Sequence, residues 1–482
     1  MKKFFTGDML NSRIRSPQVE KSEKILGYFV GPCLVYMVYS AVAGTYLTQF
    51  YTDVLGLAGG FLTMMPLLSK ILSSLTGLLI GRMIDRTRTK QGKARPWILA
   101  SGLMLTICGV LLYAVPKASQ GVRIAWAVIS YNLFFGLAFS VYSLSHSLMV
   151  PLSTRDVKQR DTLAMLTSTG TSMIPGMLST IIMPVLVSKI GVGAEAQGHW
   201  ITLMGLLSVL AIPAVLVEYY FTLERVTAET EAHKQQTASF KQQIHACLKD
   251  KYWLMVIALT LVLNLCNSFS TSSMLYYCNW VLGSSVESGA GKQILVNMIG
   301  QAPLGYGVFL LWPLVKKFGK RRVAMVGFSL AAAGSLLALL QSDNLIMVLI
   351  CLFIKSMGAI PTYIMASLLA EALDHVEWKQ GFRADGFSAS VNSMVQTIAL
   401  GIAQTVLLAG IHGFGYIVPE TAAQTILQPE AVRNFFSWCF VGMPMLGYGI
   451  GAVLMFFYKI EGKMPEITRA IARKNEEKNG EA

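Results

Sequence analysis

The sequence predicts an all-α integral membrane protein with twelve transmembrane helices in two six-helix bundles. Of its 482 residues, 54% are hydrophobic and only 14% are charged, whereas about a quarter of the residues are charged in soluble domains. A bilayer core of about 30 Å requires about 20 mostly apolar residues per helix. The sequence contains twelve such runs, six on either side of a polar segment near its middle.

These runs define the predicted organisation. Their approximate centres are residues 37, 70, 106, 136, 175, 211, 266, 304, 332, 358, 399 and 446. The predicted domains are a cytosolic N-terminal tail (1–24), a first bundle (25–222), a cytosolic linker (223–251), a second bundle (252–458) and a cytosolic C-terminal tail (459–482). The linker carries a short amphipathic candidate at Phe240 to Leu248. No cleavable signal peptide is expected, because the first 24 residues are polar and basic.

The basic residues predict the orientation in the membrane. Most of the 40 lysines and arginines lie in segments that are cytoplasmic if the N-terminus is inside, whereas Lys117, Arg123 and Lys292 are among the few external ones. We therefore expect a multi-pass protein of the plasma membrane with both termini in the cytoplasm. The net charge of +14 then reflects topology and attraction to anionic inner-leaflet lipid, not nucleic-acid binding. No cofactor or metal is expected, because the cysteines lack metal or redox spacing.

A strongly charged loop, GRMIDRTRTKQGKARPWIL (81–99), separates the second and third runs. Its Gly81, Asp85 and Arg86 resemble the loop motif of the major facilitator superfamily, which implies the fold of that superfamily. Glycine lets two helices approach closely, and the charges can hold a bundle closed on one side and separate as it opens. A basic loop without a gating role is the alternative. A shorter counterpart, KKFGKRR (Lys316 to Arg322), follows the eighth run and indicates an internal repeat.

Three separated motifs carry a narrower resemblance. They are FYTDVLGL (Phe50 to Leu57), KARPWIL (Lys93 to Leu99) and AEALDHVEWKQGFRADG (Ala370 to Gly386). In this order they resemble the glycoside, pentoside and hexuronide cation symporters, the relatives of melibiose permease. The signature of the last motif is matched by Ala370, Glu371, Asp374, Glu377, Gly381, Arg383, Asp385 and Gly386, while Val376 departs from the usual glycine. Asp374, Glu377 and Arg383 therefore join the first loop as predicted gating residues.

The resemblance implies transport of a sugar-like solute, namely a glycoside, oligosaccharide or hexuronide, by alternating access. The substrate would lie at the midplane between the bundles, and uptake is the presumed direction. The family builds its cation site from acidic residues on spans 1, 2 and 4, and the corresponding positions here are Met37, Ser73, Gly77 and Ser143. The usual carboxylate Na⁺ site is thus missing. The remaining alternatives for the transport mode are proton coupling and facilitated transport, and His146 is a candidate protonatable group.

Neutral polar side chains recur inside the apolar runs and are predicted to line the substrate cavity. Tyr142, Ser143 and His146 form one helical stripe on the fourth run. Hydroxyl, amide and aromatic groups suit a polyhydroxylated ligand, although hydrogen bonding between helices is the alternative role. The candidate substrate-binding residues are Lys70, Tyr39, Ser73, Tyr142, Ser143, His146, Asn267, Lys355, Asn392 and Gln396.

Two of these candidates, Lys70 and Lys355, are lysines deep inside their runs. Each lies about ten residues from either end, or roughly 15 Å deep at 1.5 Å per residue. An ammonium at this depth needs a partner. Carbonyls and hydroxyls, loss of the lysine proton through desolvation, and an acidic substrate such as a uronic acid or glucuronide are three alternatives.

Other function classes stay open at this point. A lipid or steroid carrier on the same scaffold would need a mainly apolar and aromatic cavity, and the polar stripes argue against it. A transporter-like sensor would need a signalling domain, for which the C-terminal tail is short. An enzyme would need clustered titratable groups or metal ligands, and none is expected because the carboxylates nearest the runs lie at their ends. These are Asp53, Glu218, Glu371 and Asp385.

Overall fold

The computed structural model describes residues 11–16, 18–57, 60–154, 156–225, 240–341, 344–382, 384–467 and 469–470. Within these ranges the chain is helical apart from its connecting segments and one two-residue bridge between Thr89 and Gly92. The prediction of an all-α protein is therefore confirmed.

The first half of the chain forms six long helices. They are α1 (Glu23–Val54), α2 (Gly60–Arg86), α3 (Arg95–Tyr113), α4 (Gln120–Ser153), α5 (Thr162–Ile190) and α6 (Ala194–Tyr220). Extended backbone at Gly44 interrupts α1 between Ala43 and Thr45. Each of the first six predicted centres lies inside one of these helices.

The second half begins with a linker helix (Phe240–Lys249), which confirms the amphipathic segment predicted at Phe240 to Leu248. Six long helices follow. They are α7 (Lys251–Trp280), α8 (Val286–Leu295, Val296–Gly300 and Ala302–Phe318), α9 (Lys320–Leu340), α10 (Leu345–Gln380), α11 (Asp385–Gly413) and α12 (Glu430–Ile467). The Asp250 carboxylate caps α7 by accepting from the backbone N–H groups of Tyr252 and Trp253 at 3.0 and 3.1 Å.

The helices are apolar enough for a membrane. Ten helices in the described part of the chain have the length and composition to cross a bilayer, and the predicted spans around residues 70 and 304 fall in α2 and α8. Large apolar side chains remain exposed along the helices, among them Leu103, Ile129, Leu206 and Val326 at 59–64% exposure. Surfaces of this kind are rare on soluble monomers. The chain is therefore a multi-pass membrane protein.

The chain divides into two compact units. Unit 1 consists of Met1–His233 with Ser285–Gly291 and Tyr416–Ile426, and unit 2 consists of Lys234–Ser284, Lys292–Gly415 and Leu427–Ala482. Helices α1 to α6 therefore lie in unit 1, whereas α7, α9 to α12 and most of α8 lie in unit 2.

Glycines bring two helices of unit 2 into close contact. A Cβ atom at Gly334 of α9 would lie 2.6 Å from the Lys355 backbone nitrogen, and one at Gly358 of α10 would lie 2.3 Å from that of Ala331. Small residues at such positions let membrane helices pack backbone against backbone. This packing fixes the level at which Lys355 enters the interior of unit 2.

Candidate functional site

An aromatic wall, made of Tyr36, Tyr39, Phe139 and Tyr142, joins α1 and α4 in unit 1. Tyr39 stacks on Phe139 with ring centroids 3.8 Å apart, and Tyr36 meets the Phe139 ring edge-on at 5.6 Å. The Tyr142 ring lies 6.0 Å from the Tyr36 ring, and Ser143 follows Tyr142 on α4. Aromatic faces beside a few hydroxyl groups can bind the C–H surfaces and hydroxyls of a sugar.

A buried carboxylate lies behind this wall. Glu218 of α6 is fully buried, its Oε1 is 2.7 Å from His146 Nδ1, and its Oε2 accepts a 2.7 Å hydrogen bond from the Tyr142 hydroxyl. The imidazole also stacks on the Tyr142 ring, with centroids 5.6 Å apart and planes 14° from parallel. Two predicted substrate residues, Tyr142 and His146, therefore share one acidic partner.

Glu218 could not be assigned to this site from its position in the sequence, because it lies near the end of α6. Helix packing brings it to α4 across 72 residues of sequence. The available signal was its isolation in the apolar stretch AVLVEYY, because ionisable residues in such surroundings are costly and usually functional. Chain spacing gave no indication of its partners.

The four positions predicted from the resemblance to match the family's cation site are neutral, and their surroundings differ. The Ser73 hydroxyl donates to the Ser69 carbonyl oxygen of its own helix at 2.7 Å. Met37 and Ser143 are half-buried, and the nearest atom to a Cβ at Gly77 would be Leu144 Cδ1 at 4.0 Å. The side chain of Lys70, predicted to bind substrate from α2, lies outside the described residues.

In unit 2, Lys355 projects among α7, α10 and α12. Its Nζ donates to the Ser270 hydroxyl at 3.2 Å and lies 5.4 Å from the centre of the Phe440 ring. In the part of the chain that the structure describes, Lys355 forms no ion pair with a carboxylate. Of the other predicted substrate residues in this unit, Asn267 and Gln396 are exposed and Asn392 is half-buried.

The charged loop after α2 is bound by an acidic residue that the motif does not contain. Glu224 accepts hydrogen bonds from the backbone N–H groups of Lys93, Ala94 and Arg95 at 2.8, 2.8 and 2.9 Å. It thus caps the N-terminus of α3, where unpaired N–H groups favour an anion. A Cβ at Gly92, which has φ +108°, would lie 2.3 Å from the Glu224 carboxyl carbon. Gly92 is therefore required by both its backbone conformation and this close contact.

Unit 2 repeats the arrangement at the loop after α8. Glu461 accepts from the backbone N–H groups of Lys320 and Arg321 at 2.7 and 3.0 Å, and Gly319 precedes them with φ +83°. The guanidinium of Arg321 donates to the carbonyl oxygen of Phe456, five residues before Glu461. In unit 1 the Arg95 guanidinium donates to the carbonyl oxygen of Tyr219, five residues before Glu224. The repeat indicated by the basic loops thus extends to acidic caps 237 positions apart.

Neutralising either cap is expected to destabilise the protein. Glu224→Gln and Glu461→Gln each keep the side-chain size but remove the charge at a helix N-terminus, which should cost about 1–2 kcal/mol. The measurement is the melting temperature of the purified protein in detergent. Glu420→Gln, at an exposed position in the connection between α11 and α12, is the control. Equal melting temperatures for all three variants and the unmodified protein would contradict a capping role.

The predicted gating residues differ in their exposure, and the side chains of two of them are not described. Gly81 is half-buried and Arg86 is exposed, while the side chains of Asp85 and Arg383 lie outside the described residues. Asp374 and Glu377 are half-buried near the end of α10, where Gly381 closes the helix with φ +77°. Their gating role stays a prediction.

The last turns of α10 carry charged contacts of their own. Lys320 forms an ion pair with Glu371, and the Lys320 ammonium also donates to the Ser367 hydroxyl at 2.7 Å. His375 Nδ1 lies 2.5 Å from the Asp250 carboxylate. Unit 2 therefore also holds a buried imidazole–carboxylate contact, at the N-terminus of α7.

Comparison with known proteins identifies the family. The chain is 25% identical over 450 residues to an isoprimeverose transporter of Lactiplantibacillus pentosus, covering 91% of this chain and 89% of the relative. It is 24% identical over 448 residues to a glucuronide carrier protein homolog of Escherichia coli (strain K12), covering 91% and 93%. Its fold matches the crystal structure of a D-xylose-proton symporter with a TM-score of 0.60, at 14% identity over 93% of this chain and 99% of that one.

The family model described as MFS/sugar transport protein matches residues 27–462, nearly the whole chain. The fold class predicted from the sequence, that of the major facilitator superfamily, is confirmed by this match and by the fold comparison. The prediction of a transporter and not an enzyme is confirmed at the level of the family. The chain belongs to the MFS/sugar transport protein family of membrane transporters.

Proposed function

We propose that this protein is a secondary transporter that takes up a sugar-like solute, a glycoside, oligosaccharide or hexuronide, by alternating access. The family supports solute transport, and the two relatives carry names that refer to isoprimeverose and to glucuronides. Both termini are proposed to lie in the cytoplasm, because the basic residues concentrate in the segments on that side.

The observation that carries the sugar proposal is the aromatic wall with its hydroxyl groups. Tyr36 and Tyr39 are half-buried, so part of each side chain is exposed. Ser143 lies beside them on α4 and offers a further hydroxyl. A cavity for a lipid or steroid would instead be lined mainly by apolar groups. Tyr39, Tyr142, Ser143 and His146 are therefore our proposed substrate residues in unit 1, and Lys355, Asn267, Asn392 and Gln396 those in unit 2, with Lys70 and Ser73 on α2.

A binding screen tests this function directly. The purified protein is heated with neutral disaccharides, free uronic acids, methyl glycosides and glucuronides, and with a sterol and a phospholipid as competitors. We expect at least one sugar or glycoside to raise the melting temperature and to enter proteoliposomes. Stabilisation by the sterol or lipid alone would refute the proposal.

Sodium and lithium are expected to leave substrate binding unchanged. Met37, Ser73, Gly77 and Ser143 supply no carboxylate to offset the dehydration of a small hard cation, which prefers charged oxygen ligands. The measurement is the sugar-induced shift in melting temperature in NaCl, LiCl and choline chloride at equal ionic strength. Choline, which is too large for a Na⁺ site, is the control. A sugar affinity raised more than about tenfold, or about 1.4 kcal/mol, by Na⁺ alone would contradict the prediction.

A further inference from the structure

The acid–imidazole pair, His146 and Glu218, has a feature that sugar binding does not require. Both side chains are buried, with exposed fractions of 5% and 1%. Both Glu218 oxygens have partners, but His146 Nε2 is buried without a hydrogen-bond partner among the described residues. Buried polar atoms are nearly always hydrogen-bonded. The free ring nitrogen therefore marks a place where something can bind.

We propose that the acid–imidazole pair is the site of the co-transported cation and that this cation is a proton. The inference rests on the transport function proposed above. When the imidazole is neutral with hydrogen on Nδ1, the pair carries one negative charge, and a proton added at Nε2 gives a pair without net charge. One proton thus binds without leaving an uncompensated positive charge in the interior.

The neighbouring charges are largely paired elsewhere. Arg225, which follows α6 in the chain, forms an ion pair with Glu23, and its Nη2 lies 2.8 Å from Glu23 Oε2. Arg95 of α3 donates to the Tyr219 carbonyl oxygen at 2.9 Å. In the described ranges, His146 is the only ion-pair partner of Glu218. The charge of the pair is therefore set mainly by its own protons.

The remaining groups on the surrounding helices are mostly neutral. The tyrosines facing the pair are Tyr28 and Tyr36 from α1 and Tyr142 from α4. On α2, which packs against α4, the ionisable residues are Lys70, Arg82, Asp85 and Arg86, of which Arg82 and Arg86 are exposed. The helix that contains α5 begins at Val157, and its charged residues are Lys158, Arg160 and Asp161 near that end and Lys189 in the last turn. Besides tyrosines and the pair itself, the ionisable residues of α4 and α6 are Arg123, Glu195 and His199, which lie in the first two turns of their helices.

The pair contacts the groups that are proposed to hold the sugar. Tyr142 stacks on the imidazole while its hydroxyl binds Glu218, and the Tyr36 ring meets the imidazole edge-on at 6.3 Å. A sugar on the aromatic wall would therefore share Tyr36 and Tyr142 with the proton site. Glu218 is also packed directly on α1, because its Cβ would lie 2.8 Å from a Cβ at Gly31. A change in the packing of α1 on α6 would alter the exposure of the acid–imidazole pair and also the positions of the aromatic rings. Proton binding and sugar binding would therefore affect each other, as coupled transport requires.

Proteoliposomes separate proton coupling from binding. With isoprimeverose as the probe, accumulation driven by an imposed pH gradient is expected to fall at least about tenfold in Glu218→Gln, while counterflow, in which no net proton moves, stays within about twofold. His375→Gln is the matched control, because it breaks the other buried imidazole–carboxylate contact. This variant should retain pH-driven accumulation.

A second arm needs no sugar. Infrared difference spectra of the purified protein between acid and alkaline pH should contain imidazole bands that vanish in His146→Gln and persist in His375→Gln. Unchanged accumulation in Glu218→Gln would overturn the proposal, and so would loss of counterflow in a folded variant, which would make the pair a structural tie. If the unmodified protein moves no sugar in any mode, the proposed function fails, and the infrared arm then decides whether the pair binds a proton.

Discussion

Gly31→Val is expected to prevent accumulation of the folded protein. A Cβ at Gly31 would lie 2.8 Å from both the nitrogen and the Cβ of Glu218 and 2.9 Å from its Cα. Gly27, one turn earlier, is equally confined, since a Cβ there would lie 2.2 Å from the Phe221 carbonyl oxygen. The two glycines form a small-xxx-small face on which α1 rests against the end of α6. Backbone atoms cannot rotate away, so we expect a loss of about 3 kcal/mol or more.

A graded series distinguishes this clash from a general effect of losing glycine. Gly31→Ala should destabilise in the same direction by a smaller amount. Gly176→Ala is the matched control in α5, because a Cβ there would meet nothing within 4 Å, and the gain in helix propensity should stabilise by about 0.5–1 kcal/mol. Monodisperse yield and melting temperature in detergent are the measurements. A fully stable Gly31→Val protein would show that the two helices are not packed this closely.

Lys355→Gln is expected to weaken the binding of acidic glycosides selectively. The ammonium contacts a hydroxyl and an aromatic face, and a carboxylate on the substrate would supply the negative charge that a buried cation requires. Binding of methyl β-glucuronide should therefore weaken by at least about tenfold, equivalent to about 1.4 kcal/mol. Methyl β-glucoside, which lacks the carboxylate, should change by less than about twofold. Isothermal titration with both glycosides measures the difference, and Lys70→Gln is expected to behave in the same way.

Lys459→Gln provides the control for loss of positive charge, because this lysine is exposed in the short non-helical segment between Phe457 and Glu461. It should change neither affinity. If Lys355→Gln weakened the binding of both glycosides equally, the role of the lysine would be its hydrogen bond to Ser270. The argument for an acidic substrate would then fail. Binding of neutral sugars alone by the unmodified protein would have the same consequence.

Several features could be predicted from the sequence because they depend on local composition. The length of an apolar run determines whether a helix can cross a bilayer, and each predicted centre lies in a helix of the structure. The linker helix was predictable for a similar reason, since its amphipathic pattern is contained within ten residues. The two basic loops were recognisable as a repeat from their residue types. The depth of Lys355 in its run likewise indicated a residue that needs a partner.

The contacts of these residues were decided only by the tertiary structure. Glu218 looked like an ordinary carboxylate at the end of a run, and it became the partner of His146 only because α4 and α6 both pack on α3 and bring those two side chains together. Glu224 meets the α3 N-terminus across about 130 residues of sequence. Hydrophobic pattern specifies that a helix forms and which broad face is apolar, but two charged groups meet only when the rotation and the relative height of both helices are fixed. Those quantities depend on close contacts such as Gly31 against Glu218, to which no local pattern corresponds.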